Sequence, residues 1–285
     1  AHVRFCVGIW GVIPISTKEI TGRTEDMRLN KYLSDAGICS RREADRLIEA
    51  GRVEVDQVKA VPGMQVEETC VIRIDGKKIE PTEKKVLLAF HKPRGVECTA
   101  DTKVKNNVIS YVNYPVRVYY AGRLDKDSQG LLLLTNRGDL ANGMMKAGNF
   151  HEKEYEVTVD KPVTDRFISR MSRGVPILGT ITRECRVWKT GERSFSIVLT
   201  QGLNRQIRRM CEYLGYRVVT LKRVRIMNIR LGDLPVGGLR EIKGQELEIL
   251  EKTLKEKPPV REVFRGGKPV KNPGKYRTPG KKKKS

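Results

Sequence analysis

Between residues 28 and 80 the apolar positions first repeat with helical spacing and then alternate. Leu29, Tyr32, Leu33 and Ala36 share one helix face, and Gly37 ends that helix. Ser40 and Glu43 make an S-x-x-E capping pair before a second apolar face of Ala44, Leu47 and Ile48, which Gly51 stops. Val53 and Val55 alternate as a strand. The run Val71 to Ile74 meets Asp75-Gly76, a hairpin signal. Two short helices followed by a small sheet are expected.

From residue 84 the pattern changes scale. KKVLLAFH, Lys84 to His91, reads as a buried strand running into Lys92-Pro93-Arg94-Gly95, and Leu131 to Leu134 reads as a second. Lys153 to Val159 alternates, with Tyr155, Val157 and Val159 on one face, and Ser194 to Thr200 alternates again. Phe167, Ile168 and Met171 mark a helix closed by Gly174. Ile207, Met210, Cys211 and Leu214 form the core stripe of a helix expected over 204–214. Numerous strands and irregular alternation predict an α+β domain, with a large mixed or antiparallel sheet flanked by helices. No Walker loop and no GxGxxG follows a strand, so nucleotide cofactors have no motif.

Charge adds a partner to this picture. The 285 residues include 56 Lys and Arg against 34 Asp and Glu, a net charge of +22. Such a surplus favours a polyanion, because neutralising phosphates releases condensed counterions. No apolar run reaches the length of a membrane span, so no membrane partner is expected. The six cysteines and three histidines show no metal-clip spacing, which argues against zinc and against a disulfide framework. Scattered single cysteines fit a reducing cytoplasm. Residues 1–26 are expected to be a poorly ordered leader, read as upstream sequence joined by a misplaced start. From Lys252 onward, 13 Lys and Arg face two Glu in a Pro- and Gly-rich segment without apolar periodicity, which predicts a disordered basic tail over 252–285. Between these ends lie a small module, 28–80, and a larger domain, 84–251.

Three clusters carry candidate chemistry. Arg28, Lys31, Arg41 and Arg42 gather on the two N-terminal helices, where a helix start also favours anions. A solvated basic face gives the same pattern. Arg205, Arg208 and Arg209 recur at i, i+3, i+4 opposite the core stripe of their helix, with one acid, Glu212, among them. Guanidinium groups so arranged suit carboxylate or phosphate. The third cluster is Gly122-Arg123-Leu124-Asp125-Lys126-Asp127-Ser128-Gln129-Gly130, directly before a buried strand. Alone it reads first as a polar turn, with Asp127 or Ser128 hydrogen-bonding the backbone.

The longer strings settle that ambiguity by resemblance. Arg28 to Ile48, RLNKYLSDAGICSRREADRLI, resembles the RNA-binding module of ribosomal protein S4 type. GRLDKDSQGLLLLTN resembles the active-site motif of pseudouridine synthases. The match continues in order through Lys92-Pro-Arg-Gly, Lys153-Glu-Tyr and Asn204-Arg-Gln-Ile-Arg-Arg-Met, and covers roughly residues 28–250. It is similar to the branch named for the small-subunit rRNA enzyme. The strings HEKEYEVTVDKP, GVPILGT, QGLNRQIRRMCEYLGY and RIMNI are close to a subfamily that acts on large-subunit, 23S, rRNA.

The resemblance implies an isomerase that detaches uracil from its ribose, rotates it and rejoins it through carbon 5, without a cofactor or metal. It makes Asp125 the nucleophile, places Arg208 against it to keep it charged, and puts the Tyr155 ring on the target base. Leu221 becomes a pocket residue, and Arg123 takes the space left by the flipped base. Arg205 and Arg209 join Arg28, Lys31, Arg41 and Arg42 as RNA contacts. Many relatives carry histidine where this chain has Arg205, so no role of that histidine transfers. Ribosomal RNA, 23S first, is the expected partner of a monomer, with a tRNA of similar loop as a further substrate. Two competing readings are a non-catalytic ribosome-assembly protein on the same scaffold and a glycoside hydrolase pairing Asp125 with Asp127. A low aromatic content, 6%, and the basic charge count against the hydrolase.

Overall fold

The computed structural model describes residues 27–67, 69–80, 84–101, 103–145, 150–256, 263–265 and 268–270. The expected leader 1–26 lies outside them, as does most of the expected tail. The chain forms two compact units, residues 1–80 and 81–285.

In the first unit β1 (Met27–Arg28) leads into α1 (Leu29–Asp35) and α2 (Arg41–Glu49). The Glu43 N–H donates to the Ser40 hydroxyl at 3.2 Å, satisfying one donor at the start of α2. Strands β2 (Val53–Val55), β3 (Val58–Lys59), β4 (Gln65–Val66), β5 (Ile72–Ile74) and β6 (Lys77–Lys78) follow. They assemble as β3-β2-β5-β6, with β1 paired to β4. Asp75 (φ 51°) and Gly76 (φ 76°) are both left-handed, as a two-residue hairpin between β5 and β6 requires. Leu29, Leu33, Ala44, Ile48, Val53 and Ile72 form the core, so the helical and alternating positions converge on one apolar cluster.

The second unit opens with β7 (Leu87–Lys92), α3 (Val108–Val112), β8 (Tyr119–Ala121), β9 (Gln129–Thr135) and α4 (Gly138–Met145). It continues with β10 (Lys153–Val159), α5 (Asp165–Ser172), β11 (Pro176–Ile177), β12 (Thr180–Ile181), β13 (Arg186–Gly191) and β14 (Ser194–Leu199). Then come α6 (Gln206–Tyr213), β15 (Val218–Ile226), β16 (Ile229–Arg230), β17 (Leu239–Glu241) and α7 (Gly244–Lys255). A nine-stranded sheet runs β13-β14-β10-β15-β9-β7-β17, with β16 on β15 and β8 on β9. The pair β15–β9 is parallel and the other pairings are antiparallel, so the sheet is mixed.

β7 and β9 are buried on both faces, which explains their unbroken apolar runs. Leu87, Ala89, Leu131 and Leu133 meet α4 and α7 on one side. Leu88, Phe90, Leu132 and Leu134 meet Val108 of α3 on the other. A third cluster packs Phe167 and Met171 of α5, and Ile207 and Met210 of α6, on Val157, Phe195 and Ile197.

Two expectations need correction. The helix expected over 204–214 begins at Gln206, because Arg205 is left-handed at φ 49°. The basic tail does not begin at Lys252: that residue lies inside α7, which runs to Lys255 and packs Leu247, Leu250 and Leu254 on the core. Within the expected tail, strands β18 (Val263–Arg265) and β19 (Lys268–Val270) pair antiparallel.

Candidate active site

The loop between β8 and β9 carries Asp125, and several contacts fix it. Gly122 opens it at φ 84°. Leu124 is buried among Phe90, Val96 and Leu132 and anchors the loop between Arg123 and Asp125. The Ser128 N–H donates to the Asp125 carbonyl at 3.0 Å, closing a tight turn. Lys92, at the end of β7 and fully buried, reaches beneath this turn. Its ammonium donates to the carbonyls of Pro93 at 2.8 Å, Ser128 at 2.9 Å and Lys126 at 3.4 Å. Burial pushes the Lys92 pKa below its ordinary value, while the charges of Asp125 and Asp127 work the other way.

Arg223 of β15 supports the loop from below. Its Nε donates to the Leu131 carbonyl at 2.7 Å and a terminal nitrogen to the Arg123 carbonyl at 3.4 Å. β15 approaches so closely that a Cβ on Gly130 (φ 109°) would lie 2.3 Å from the Arg223 carbonyl oxygen. Glycine at 130 is therefore a steric requirement of the parallel pairing.

The second wall is the start of α6. The Gln206 side-chain oxygen accepts from the Leu203 N–H at 3.0 Å, which turns the preceding loop and leaves Arg205 left-handed. Arg205 and Arg208 then converge on one carboxylate oxygen of Asp125. Their nitrogens stand 3.5 Å and 3.9 Å away. Arg208 also spans the Val218 carbonyl, the Asp127 carbonyl and the Ser128 hydroxyl, each at 3.4 Å. Burial and the Arg205 charge push its pKa down; Asp125 and Asp127 oppose this.

The third wall comes from the sheet. Lys153 and Tyr155 leave one face of β10, and Leu221 of β15 stands opposite Val157. The Tyr155 ring packs between two of the apolar clusters. Burial and the nearby Arg223 push Lys153 down to about 8.

These walls enclose a cavity of about 490 Å³, within the range of small-molecule sites, roughly 300–1,000 Å³. Arg123, Lys153, Arg205, Arg208 and Arg223 line it, against one acid, Asp125. The structure thus brings together Asp125, Tyr155, Arg208, Arg123, Arg205 and Leu221. Arg209 is not on the lining: it folds back onto Asn204, at 3.1 and 3.3 Å. Asp127 is off the lining too, so the paired-carboxylate arrangement of a hydrolase is not formed there. In the first unit Arg28, Arg41 and Arg42 are exposed and form no ion pair among the described residues, whereas Lys31 pairs with Asp35 at 3.1 Å. No group of three His, Cys, Asp or Glu suited to a metal occurs among the described residues.

Sequence reasoning assigned no role to Lys92, Lys153 or Arg223, although Lys92-Pro-Arg-Gly and Lys153-Glu-Tyr are among the matched strings. Each was visible as a charged residue inside an otherwise apolar or alternating strand, where a charge is costly unless it has a task.

The chain is similar to known proteins over both of its units. Residues 86–213 match the RNA pseudouridylate synthase family and residues 27–70 match the S4 domain. The chain is 48% identical to the dual-specificity RNA pseudouridine synthase RluF of Escherichia coli strain K12, over 90% of this chain and 97% of that protein. It is 33% identical to the ribosomal large subunit pseudouridine synthase B of Bacillus subtilis strain 168, over 78% of this chain and 95% of that one. The chain belongs to the RNA pseudouridylate synthase family. Its fold agrees as well: a crystal structure of a pseudouridylate synthase superposes with a TM-score of 0.57 at 24% identity, covering 80% of this chain and 99% of the other. As a member of this family the chain is an isomerase with an S4 domain ahead of its catalytic unit.

Proposed function

We propose that this enzyme converts a uridine of 23S ribosomal RNA to pseudouridine with Asp125 as the nucleophile. The observation that carries the reading is the Asp125 carboxylate, 33% exposed on the cavity wall with two guanidinium groups on one of its oxygens. A carboxylate can attack and later leave, which an isomerisation without redox change needs. The two guanidinium groups stand beside it and fix its direction.

The basic first unit and the arginines of the second unit grip phosphates. The target base leaves its stack, at about a few kcal/mol, and enters the cavity. The Tyr155 ring and Leu221 supply its apolar walls, and Arg123, exposed on the rim, fills the vacated stack. Whichever atom Asp125 attacks, the bond from N1 of uracil to the sugar breaks and carbon 5 replaces N1. The carbon 5 proton leaves, N1 gains one, and atoms balance without a cofactor. The enzyme works as a monomer in the cytoplasm. The RluF relatives are named for dual specificity, and a tRNA of similar loop is the second substrate to test.

The test is Asp125→Asn, which keeps shape and removes charge. Purified variant and wild type are given 23S rRNA and tRNA transcripts, and pseudouridine is mapped by chemical sequencing. Bound but unmodified RNA is expected; turnover by the variant removes Asp125 from its role.

A further inference from the structure

Lys153 has no structural return for its position. It stands two residues before Tyr155 on the same face of β10 and lines the same cavity. Its ammonium contacts the His151 carbonyl at 3.4 Å, and no carboxylate lies within ion-pair distance among the described residues. Behind it is Arg223, 2% exposed, whose second terminal nitrogen is buried without a partner. The groups facing this corner are Arg223 from β15, Arg123 and Asp125 from the loop, Arg205 and Arg208 from α6, and His151 and Tyr155 beside it. Asp125, the acid among them, is already engaged by two arginines. A partly buried ammonium without a counter-ion awaits an anion or a strong acceptor from outside the protein.

Such an acceptor arrives during the proposed reaction. As the bond between N1 and the sugar breaks, both electrons stay with the uracil. On the route where Asp125 attacks the sugar, its carboxylate oxygen bonds to the carbon that N1 leaves. No proton moves in this step, and the ring carries one negative charge shared among N1 and its two carbonyl oxygens. Charge that develops during reaction is best met by a fixed donor already in place.

We infer that Lys153 is a further catalytic residue, its ammonium donating to a carbonyl oxygen of the extruded uracil and stabilising the charge released when the glycosidic bond breaks. This rests on the proposed function. Arg223, whose Nε and one terminal nitrogen are already given to the Leu131 and Arg123 carbonyls, contributes positive potential behind the lysine. A phosphate would satisfy the same ammonium, and the two occupants separate kinetically. A phosphate is charged before and after reaction, so losing its partner weakens binding; a uracil oxygen gains charge during reaction, so losing its partner slows the chemical step.

The test is single-turnover kinetics on the same 23S rRNA transcript with wild type, Lys153→Gln and Lys153→Arg, between pH 6 and 9.5. Lys153→Gln should bind RNA as wild type does and react about 100-fold more slowly. Lys153→Arg should recover part of that loss. The wild-type rate should fall as pH rises past about 8, where Lys153 loses its proton, and the arginine variant should lack that decline. An unslowed Lys153→Gln, or one that loses affinity and keeps its rate, overturns the inference while leaving Asp125 in place. Inert wild type overturns the proposed function itself.

Discussion

The Lys92 ammonium donates to the Ser128 carbonyl at 2.9 Å from a fully buried position, three residues from Asp125 in the loop above it. It reaches the Pro93 and Lys126 carbonyls as well. A backbone segment is thereby held by one charged side chain from a neighbouring strand, and Asp125 inherits its rigidity.

Lys92→Met keeps the volume and removes the donors. Each buried carbonyl left without a partner costs about 1–3 kcal/mol, so the variant should lose several kcal/mol of stability. Urea unfolding measures it. Turnover should drop further than stability explains, since the loop loosens where Asp125 sits. A Lys92→Met protein as stable as wild type would show that the three contacts carry no energy.

The two arginines on Asp125 are not equivalent. Arg208 is more buried, at 15% against 43% for Arg205, and also ties α6 to the Asp127 carbonyl, the Ser128 hydroxyl and the Val218 carbonyl. Water screens the exposed partner. Arg208→Ala should slow the chemical step by roughly 100-fold, and Arg205→Ala by about 10-fold or less. Single-turnover rates decide the order, and the reverse ranking would refute it.

Much of this was legible because local patterns and tertiary packing agreed. Asp125, Tyr155 and Arg208, named from strings that resemble related chains, line one cavity, and Lys153 to Val159 alternates as the strand it forms. Other features depend on contacts that no local pattern encodes. Arg209 shares the helical spacing of Arg205 and Arg208, yet Arg205 is left-handed and Arg209 binds Asn204, so the expected three-arginine face does not form. α7 shows Leu247, Leu250 and Leu254 at helical spacing, but Lys252 and Lys255 around Leu254 resemble the start of the basic segment. Lys92 and Arg223 look like solvated charges until the strands on both sides are placed.

Gly130→Ala should be severe. A methyl group there meets the Arg223 backbone oxygen at 2.3 Å, and the backbone holds φ at 109°. Strain and clash together should cost several kcal/mol and push β15 from β9, moving Arg223 and the loop. Thermal unfolding reads the first effect and loss of turnover the second. A variant within about 1 kcal/mol of wild type would mean the strands separate without penalty.

Phosphate contacts by the basic surfaces should make RNA affinity steeply salt-dependent. Arg28, Arg41 and Arg42 form no ion pairs among the described residues, so each is free to displace a counterion. Replacing all three by Gln should flatten the slope of log affinity against log salt by about 2–3 units. Removing residues 257–285, which spares α7, should flatten it again. Filter binding at several salt concentrations measures both, and an unchanged slope would make the surface concerned a bystander to binding.

Lys153 should cost the resting enzyme stability. Its pKa falls from the ordinary 10.5 to about 8, chiefly through burial. Below pH 8 folded and unfolded chains both hold the proton, and the folded state bears the whole penalty. Between about 8 and 10.5 the unfolded chain still binds the proton that the folded chain has released, so stability rises with pH through that window. At 1.36 kcal/mol per unit the penalty is at most roughly 3 kcal/mol. Lys153→Met should therefore be more stable than wild type at pH 7 by up to that amount, with the advantage shrinking towards pH 10. Urea unfolding at both pH values measures it. A methionine variant less stable than wild type at pH 7 would mean that the ammonium is satisfied by the fold. A more stable variant that reacts slowly would tie the cost to the chemistry: a charge held in place before the substrate arrives, whose partner appears only when the glycosidic bond breaks.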